Sequence, residues 1–157
     1  MDAQAGHEKT ITSLLPALAG ANLIYGMGML ELGVTFSYGQ LVIDNEIASM
    51  VKSVVQGSPV DMETVGIDSI HKIGSGKNFL KEKHTLKYMP LEQSKVHLFD
   101  RRTRGSWEKK GGSDVRQRAN EMAVEILREH KPMPLDPDVH QELKRVIERA
   151  ESRVHAP

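Results

Sequence analysis

The chain has 157 residues, enough for one domain with a modest core, and its 21 Lys and Arg balance its 21 Asp and Glu to zero formal net charge. That balance lacks the basic footprint of a nucleic-acid-binding protein or a polybasic membrane-surface segment, and no apolar run is long enough to span a bilayer. With no cysteine there is no disulfide framework and no thiolate metal site, so a cytoplasmic protein is the default expectation.

Ile11, Leu14, Leu15 and Leu18 repeat at helical spacing, which predicts a helix over residues 7–19 with Gly20 as its stop. Pro16 inside that run predicts a kink, or a late start capped by Thr12 or Ser13. Residues 22–28 read as a short buried strand, and a helix–strand–helix succession is an α/β signature. Ser37-Tyr38-Gly39-Gln40 has the S-x-x-Q form of a capping box, opening a helix to about Gln56 that Gly57 and Pro59 end. Ile43, Ile47, Met50, Val51 and Val54 form its apolar stripe; Asp44, Asn45 and Glu46 fall near its positive end.

Beyond Val60, residues 61–73 and 78–89 read as short helices separated by Gly74-Ser75-Gly76. Residues 90–112 are irregular and polar, with a basic cluster at Arg101, Arg102 and Arg104. Ser113 is expected to cap a helix to about His130, with Val115, Ala119, Met122, Ala123, Ile126 and Leu127 on one face. Asp136-Pro137 marks the start of a last helix, whose face is Val139, Leu143, Val146, Ile147 and Ala150. A single buried strand leaves its backbone groups unpaired. Either its sheet partners lie outside this chain or residues 22–28 are not a strand.

Gly74-Ser75-Gly76-Lys77-Asn78 suggests a phosphate loop, but His71 stands where the first glycine belongs and Asn78 where a hydroxyl residue belongs. A turn is expected there. Gly26-Met27-Gly28 is too short for a dinucleotide fingerprint, since Glu31 occupies the third glycine's place. The seven histidines, at positions 7, 71, 84, 97, 130, 140 and 155, include no HExxH pair or other metal-ligand spacing, so no metal site is expected. His84 is expected to point inward as a hydrogen-bonded core side chain. Asp100, Arg101, Arg102, Trp107 and Glu108 offer either a docking surface or a solvated loop pinned by one tryptophan. Spacing alone assigns no nucleophile–base pair.

Five blocks carry a longer pattern: "DAQAGHEKT", "GANLIYGMGMLE", "QLVIDNEIASMV", "NFLKEKHTLKYM" and "DRRTRGSWEKKGG". In unbroken order from Asp2 to about Leu135, they resemble the trimethylamine:corrinoid methyltransferase family. The resemblance implies an α/β fold: the C-terminal portion of a (β/α)8 TIM barrel followed by a mostly helical extension, α-rich within this chain. Residues 1–60 would be the last βα units and residues 61–157 the extension. A full barrel needs roughly 200 residues or more, so the missing N-terminal barrel part is the first implied partner, and a fragment inactive alone is expected.

The resemblance further implies methyl transfer from trimethylamine to the cobalt of a cognate corrinoid protein, in methylamine metabolism and methanogenesis. The corrinoid would be carried by that partner and not bound directly by this chain. The family's pyrrolysine, which activates the tertiary amine, would lie upstream of Asp2, so no catalytic residue is expected here. Tyr25, Glu31, Phe36 and Tyr38 would line or flank the amine site at the barrel mouth. Arg101, Arg102, Arg104 and Trp107 would dock the corrinoid protein. The full-length form is expected to be a homo-oligomer. A quaternary amine such as glycine betaine is the alternative substrate, and a non-enzymatic helical interaction module the alternative class.

Overall fold

Asp2 sets the start of the first helix. Its carboxylate accepts the Ala5 amide at 2.9 Å and caps α1 (Ala3–Leu18), four residues before the apolar spacing begins to signal it. The structure, a computed structural model, describes residues 1–154; His155 lies outside the described residues. Helix α1 continues through Pro16. Thr12 and Ser13 cap nothing; their hydroxyls donate to the carbonyls of Glu8 and Lys9 one turn back. Gly20, at φ +86°, follows the helix end as expected.

The strand expected over residues 22–28 is not formed. The segment is irregular, and among the described residues nothing supplies the ladder a strand there would need. The extended pairing falls just beyond it: β1 (Met29–Leu30) runs antiparallel to β2 (Thr35–Phe36), with Met29 opposite Phe36 and Leu30 opposite Thr35. A short 3-10 turn, Glu31–Gly33, closes this hairpin. Glu31 and Leu32 take the left-handed φ values of 49° and 54°, a conformation that costs a non-glycine residue about 1–2 kcal/mol.

Helix α2 (Tyr38–Gln56) is capped by Ser37, whose hydroxyl accepts the Gln40 amide at 3.2 Å. Only half of the capping box forms. The Ser37 amide donates to Gly28 O at 2.8 Å, while the Gln40 side chain turns to Asp44. Ile43, Ile47 and Val51 from the predicted stripe are buried with Leu98 and Ala119, and Leu14, Ala17, Phe99, Val115 and Met122 pack around them. Gly57 ends the helix at φ +65°.

Helix α3 (Ile67–Ile73) starts later than expected because the Asp61 carboxylate accepts the Glu63 and Thr64 amides, both at 2.8 Å, and holds residues 61–66 as turns. Helix α4 (Lys83–Glu92) passes through Pro90. His84 is half-buried and not in the main core; its Nε2 lies 2.8 Å from Glu63 O, and its ring stacks on Tyr88. The stretch read as irregular contains α5 (Arg104–Lys109). Helix α6 (Val115–Glu129) is capped by Asp114, which accepts the Gln117 amide at 2.7 Å, while the Ser113 carbonyl accepts Trp107 Nε1 at 2.8 Å. Asp136 begins α7 (Pro137–Val154), accepting the Asp138 amide.

The described residues therefore form an α-rich chain of seven helices and one two-stranded hairpin. Among the described residues, 1–125 and 126–154 make two separate units. The first holds the core. In the second, Val139, Leu143, Val146 and Ile147 of α7 are exposed.

Candidate functional site

A carboxylate in the second turn of α2 organises the neighbourhood of the hairpin. Asp44 is 5% exposed and both its oxygens are engaged. Oδ1 accepts Gln40 Nε2 at 2.7 Å; Oδ2 accepts the Gly28 amide at 2.8 Å and lies 3.1 Å from Lys9 Nζ. Lys9 also donates to Gly26 O at 2.6 Å. Three separated positions, Lys9 in α1, Gly28 in the glycine turn and Gln40 in α2, thus meet at one buried carboxylate. Gln40, 1% exposed, belongs to the same group. Burying such charges is tolerable because each polar atom has a partner; among the described residues no buried side-chain nitrogen or oxygen is left without one.

The residues that the resemblance led us to expect at an amine site lie on or beside the segment this group secures. Phe36 and Tyr38 meet edge to face with ring centroids 5.4 Å apart, and both rings are about half exposed. Glu31 lies at the hairpin tip, where it accepts the Thr35 hydroxyl at 2.7 Å. Tyr25 precedes the glycine turn and is 85% exposed. The structure therefore brings Phe36 and Tyr38 together and places Glu31 on the same hairpin; Tyr25 makes no aromatic pairing with them. Gly28 is a tight point under the aromatic pair: at φ +76°, a Cβ there would stand 2.7 Å from the Phe36 ring and 3.1 Å from Leu41 Cβ.

The second set is held by a second buried carboxylate. Glu46 Oε1 accepts the amides of His97, at 2.6 Å, and Leu98, at 3.1 Å, and straps residues 97–98 onto α2. The Leu98 carbonyl in turn accepts Arg118 Nε from α6 at 3.0 Å. Beyond this strap the basic side chains have intramolecular partners. Arg101 donates to Ser94, Arg102 forks onto Asp100, and Arg104 pairs with Glu108. The Arg102 guanidinium beside Asp100 holds its carboxyl well below the usual carboxylate range. Arg102, Arg104, Trp107 and Arg118 share a shallow recess with Asp100 and Asp114.

Sequence patterning missed Asp44, Glu46 and Gln40 as anchors. The first two were read as dipole partners, yet both are acidic residues flanking an apolar stripe position, which was the available signal. A larger apolar cavity of about 620 Å³ lies between α1 and α2, lined by Leu14, Ile43, Ile47, Met50, Phe99 and Val115. No group of three or more His, Asp or Glu side chains among the described residues is placed to hold a metal ion.

Comparison with known proteins gives a consistent result. Residues 1–154 match the family described as trimethylamine methyltransferase. The chain is 52% identical over 143 residues to the trimethylamine methyltransferase of Methanosarcina thermophila, covering 91% of this chain and 29% of that protein. It is 47% identical over 150 residues to the trimethylamine methyltransferase of Desulfitobacterium hafniense strain DSM 10664, covering 96% and 30% respectively. A glycine betaine methyltransferase of Desulfitobacterium hafniense strain Y51 is 33% identical over 148 residues, covering 94% and 31%. The chain spans about 30% of the length of these relatives.

Proposed function

Since the chain belongs to the trimethylamine methyltransferase family, we propose that it forms the C-terminal part of an enzyme that moves a methyl group from trimethylamine to the cobalt of a corrinoid protein. The observation that carries this reading is the higher identity to trimethylamine methyltransferases than to the glycine betaine enzyme. The upstream part would complete a barrel, and the exposed apolar side chains of Ile11, Leu15 and Leu18 on α1 suit burial against it.

Methyl transfer would break the C–N bond with its electron pair left on nitrogen, which takes up a proton as the amine departs, while the reduced cobalt carried by the partner protein would supply the electron pair of the new carbon–cobalt bond. The corrinoid acts as the methyl-accepting co-substrate, held by the partner, and pyrrolysine would come from the upstream part. This chain's own residues bind and orient. The half-exposed faces of Phe36 and Tyr38 can hold a methylated ammonium by cation–π attraction, worth about 0.5–2 kcal/mol each. Glu31 supplies a compensating negative charge at the hairpin tip. Arg104, whose side chain is far more exposed than that of Arg102, and Trp107 offer types enriched at interface hot spots.

The test is methyl transfer by the full-length protein, with upstream part, corrinoid protein and either trimethylamine or glycine betaine. Faster transfer from trimethylamine supports the proposal. Faster transfer from glycine betaine moves the chain to the quaternary-amine reading, and transfer from neither overturns both. Glu31→Gln should raise the Michaelis constant for the amine; unchanged turnover and affinity would remove Glu31 from the site.

A further inference from the structure

The group around Asp44 has a geometry that simple helix packing does not require. Two helices could pack through Ile43, Ile47 and Leu14 alone. Here, in addition, a lysine crosses from α1 and divides its ammonium between the Gly26 carbonyl and Asp44 Oδ2, which also receives the Gly28 amide. Both hydrogen-bonding backbone groups belong to the glycine turn from which the hairpin departs. The Gly28 carbonyl then accepts the Ser37 amide, closing the hairpin at its far end. Phe36 and Tyr38 flank that closure.

We infer that Lys9 and Asp44 are positioning residues for the amine site, setting the hairpin that carries Glu31, Phe36 and Tyr38. This rests on the proposed function above. The chain of contacts is direct: Lys9 and Asp44 hold residues 26 and 28, residue 28 holds residue 37, and the two aromatics stand on either side of residue 37. Gln40 occupies the remaining Asp44 oxygen and leaves Oδ2 for Gly28 and Lys9. Replacing Lys9 leaves the Gly26 carbonyl with the Met29 amide alone and leaves Asp44 a buried carboxylate without its cation. The glycine turn then loses one of its two anchors, and the other weakens.

The experiment compares full-length wild type, Lys9→Met, Asp44→Asn, the double variant and Lys9→Arg with trimethylamine and corrinoid protein. Lys9→Met and Asp44→Asn are each expected to raise the amine KM at least fivefold, with the corrinoid-protein KM within twofold of wild type. The double variant should be no worse than the poorer single one, and Lys9→Arg should restore most of the amine KM. A purely structural role would instead lower apparent kcat with the folded fraction while leaving the amine KM unchanged. Hydrogen exchange in the wild-type protein covers variants that do not fold. Gly28 and Ser37 amides should be protected and open together, at rates within about twofold once corrected for intrinsic exchange. Unprotected exchange at Gly28, or an unchanged amine KM in folded Lys9→Met, overturns the inference. Loss of all methyl transfer in wild type would instead sink the proposed function.

Discussion

Gly28 joins backbone conformation to side-chain geometry at a single position. Its left-handed φ disfavours any other residue, and a Cβ would meet the Phe36 ring before it met anything flexible. Gly28→Ala should therefore lose about 1–3 kcal/mol of stability in denaturant titration of the full-length protein, with Phe36 displaced. Gly33→Ala makes a useful contrast, because the Cβ there meets only the terminal methyl of Met29, which can swing aside. At the other set of candidate residues, Arg102→Ala should raise the Asp100 carboxyl pKa toward the ordinary carboxylate range, read by carbon chemical shift during pH titration. The sign follows from the depression in the wild type. The Asp100–Arg102 contribution is fully present above the unfolded carboxylate pKa of about 3.9 and is lost as pH falls through the lower folded value.

Helix α2 shows which elements a sequence specifies and which it leaves to tertiary contacts. Its stripe of Ile43, Ile47 and Val51 and its cap Ser37 were readable because period and capping chemistry are local. The roles of Asp44 and Glu46 were not readable, since their partners are 16 and 51–52 residues away. Helix dipole preference places acids in the same region, and nothing local separates a solvated acid from a buried anchor. The starts of α1, α3 and α6 shifted for a similar reason: Asp2, Asp61 and Asp114 claim amides that the apolar spacing does not register. The strand expected at residues 22–28 depended on neighbours that this chain does not supply. Of the candidate site, Phe36 and Tyr38 stood out by residue type and position, whereas their edge-to-face pairing and its support did not. Glu46→Ala should leave two backbone amides unsatisfied and cost about 2–4 kcal/mol. Faster hydrogen exchange at His97 and Leu98, with α4 amides unchanged, would check that the strap is what was lost.

At the scale of the chain, few apolar side chains among the described residues are buried and many large ones are exposed, including Leu15, Leu18, Leu23, Val60 and Leu80. Exposed apolar surface on this scale favours association. The chain expressed alone should self-associate in sedimentation velocity, whereas the same residues joined to the upstream part proposed above should sediment as a defined species. A monodisperse monomer for the isolated chain would contradict this. Within residues 1–125, the Asp44 anchor has a further consequence for the thermodynamics of recognition. A loop that must order around its ligand loses about 1–2 kcal/mol of backbone entropy per residue at that moment. Residues 26–28 and 37 are already tethered to α1 and α2 through buried partners, so most of that loss falls on folding. A methylated ammonium bound at Phe36 and Tyr38 as proposed would encounter a surface already ordered, and even a small cation with few contacts could then be held.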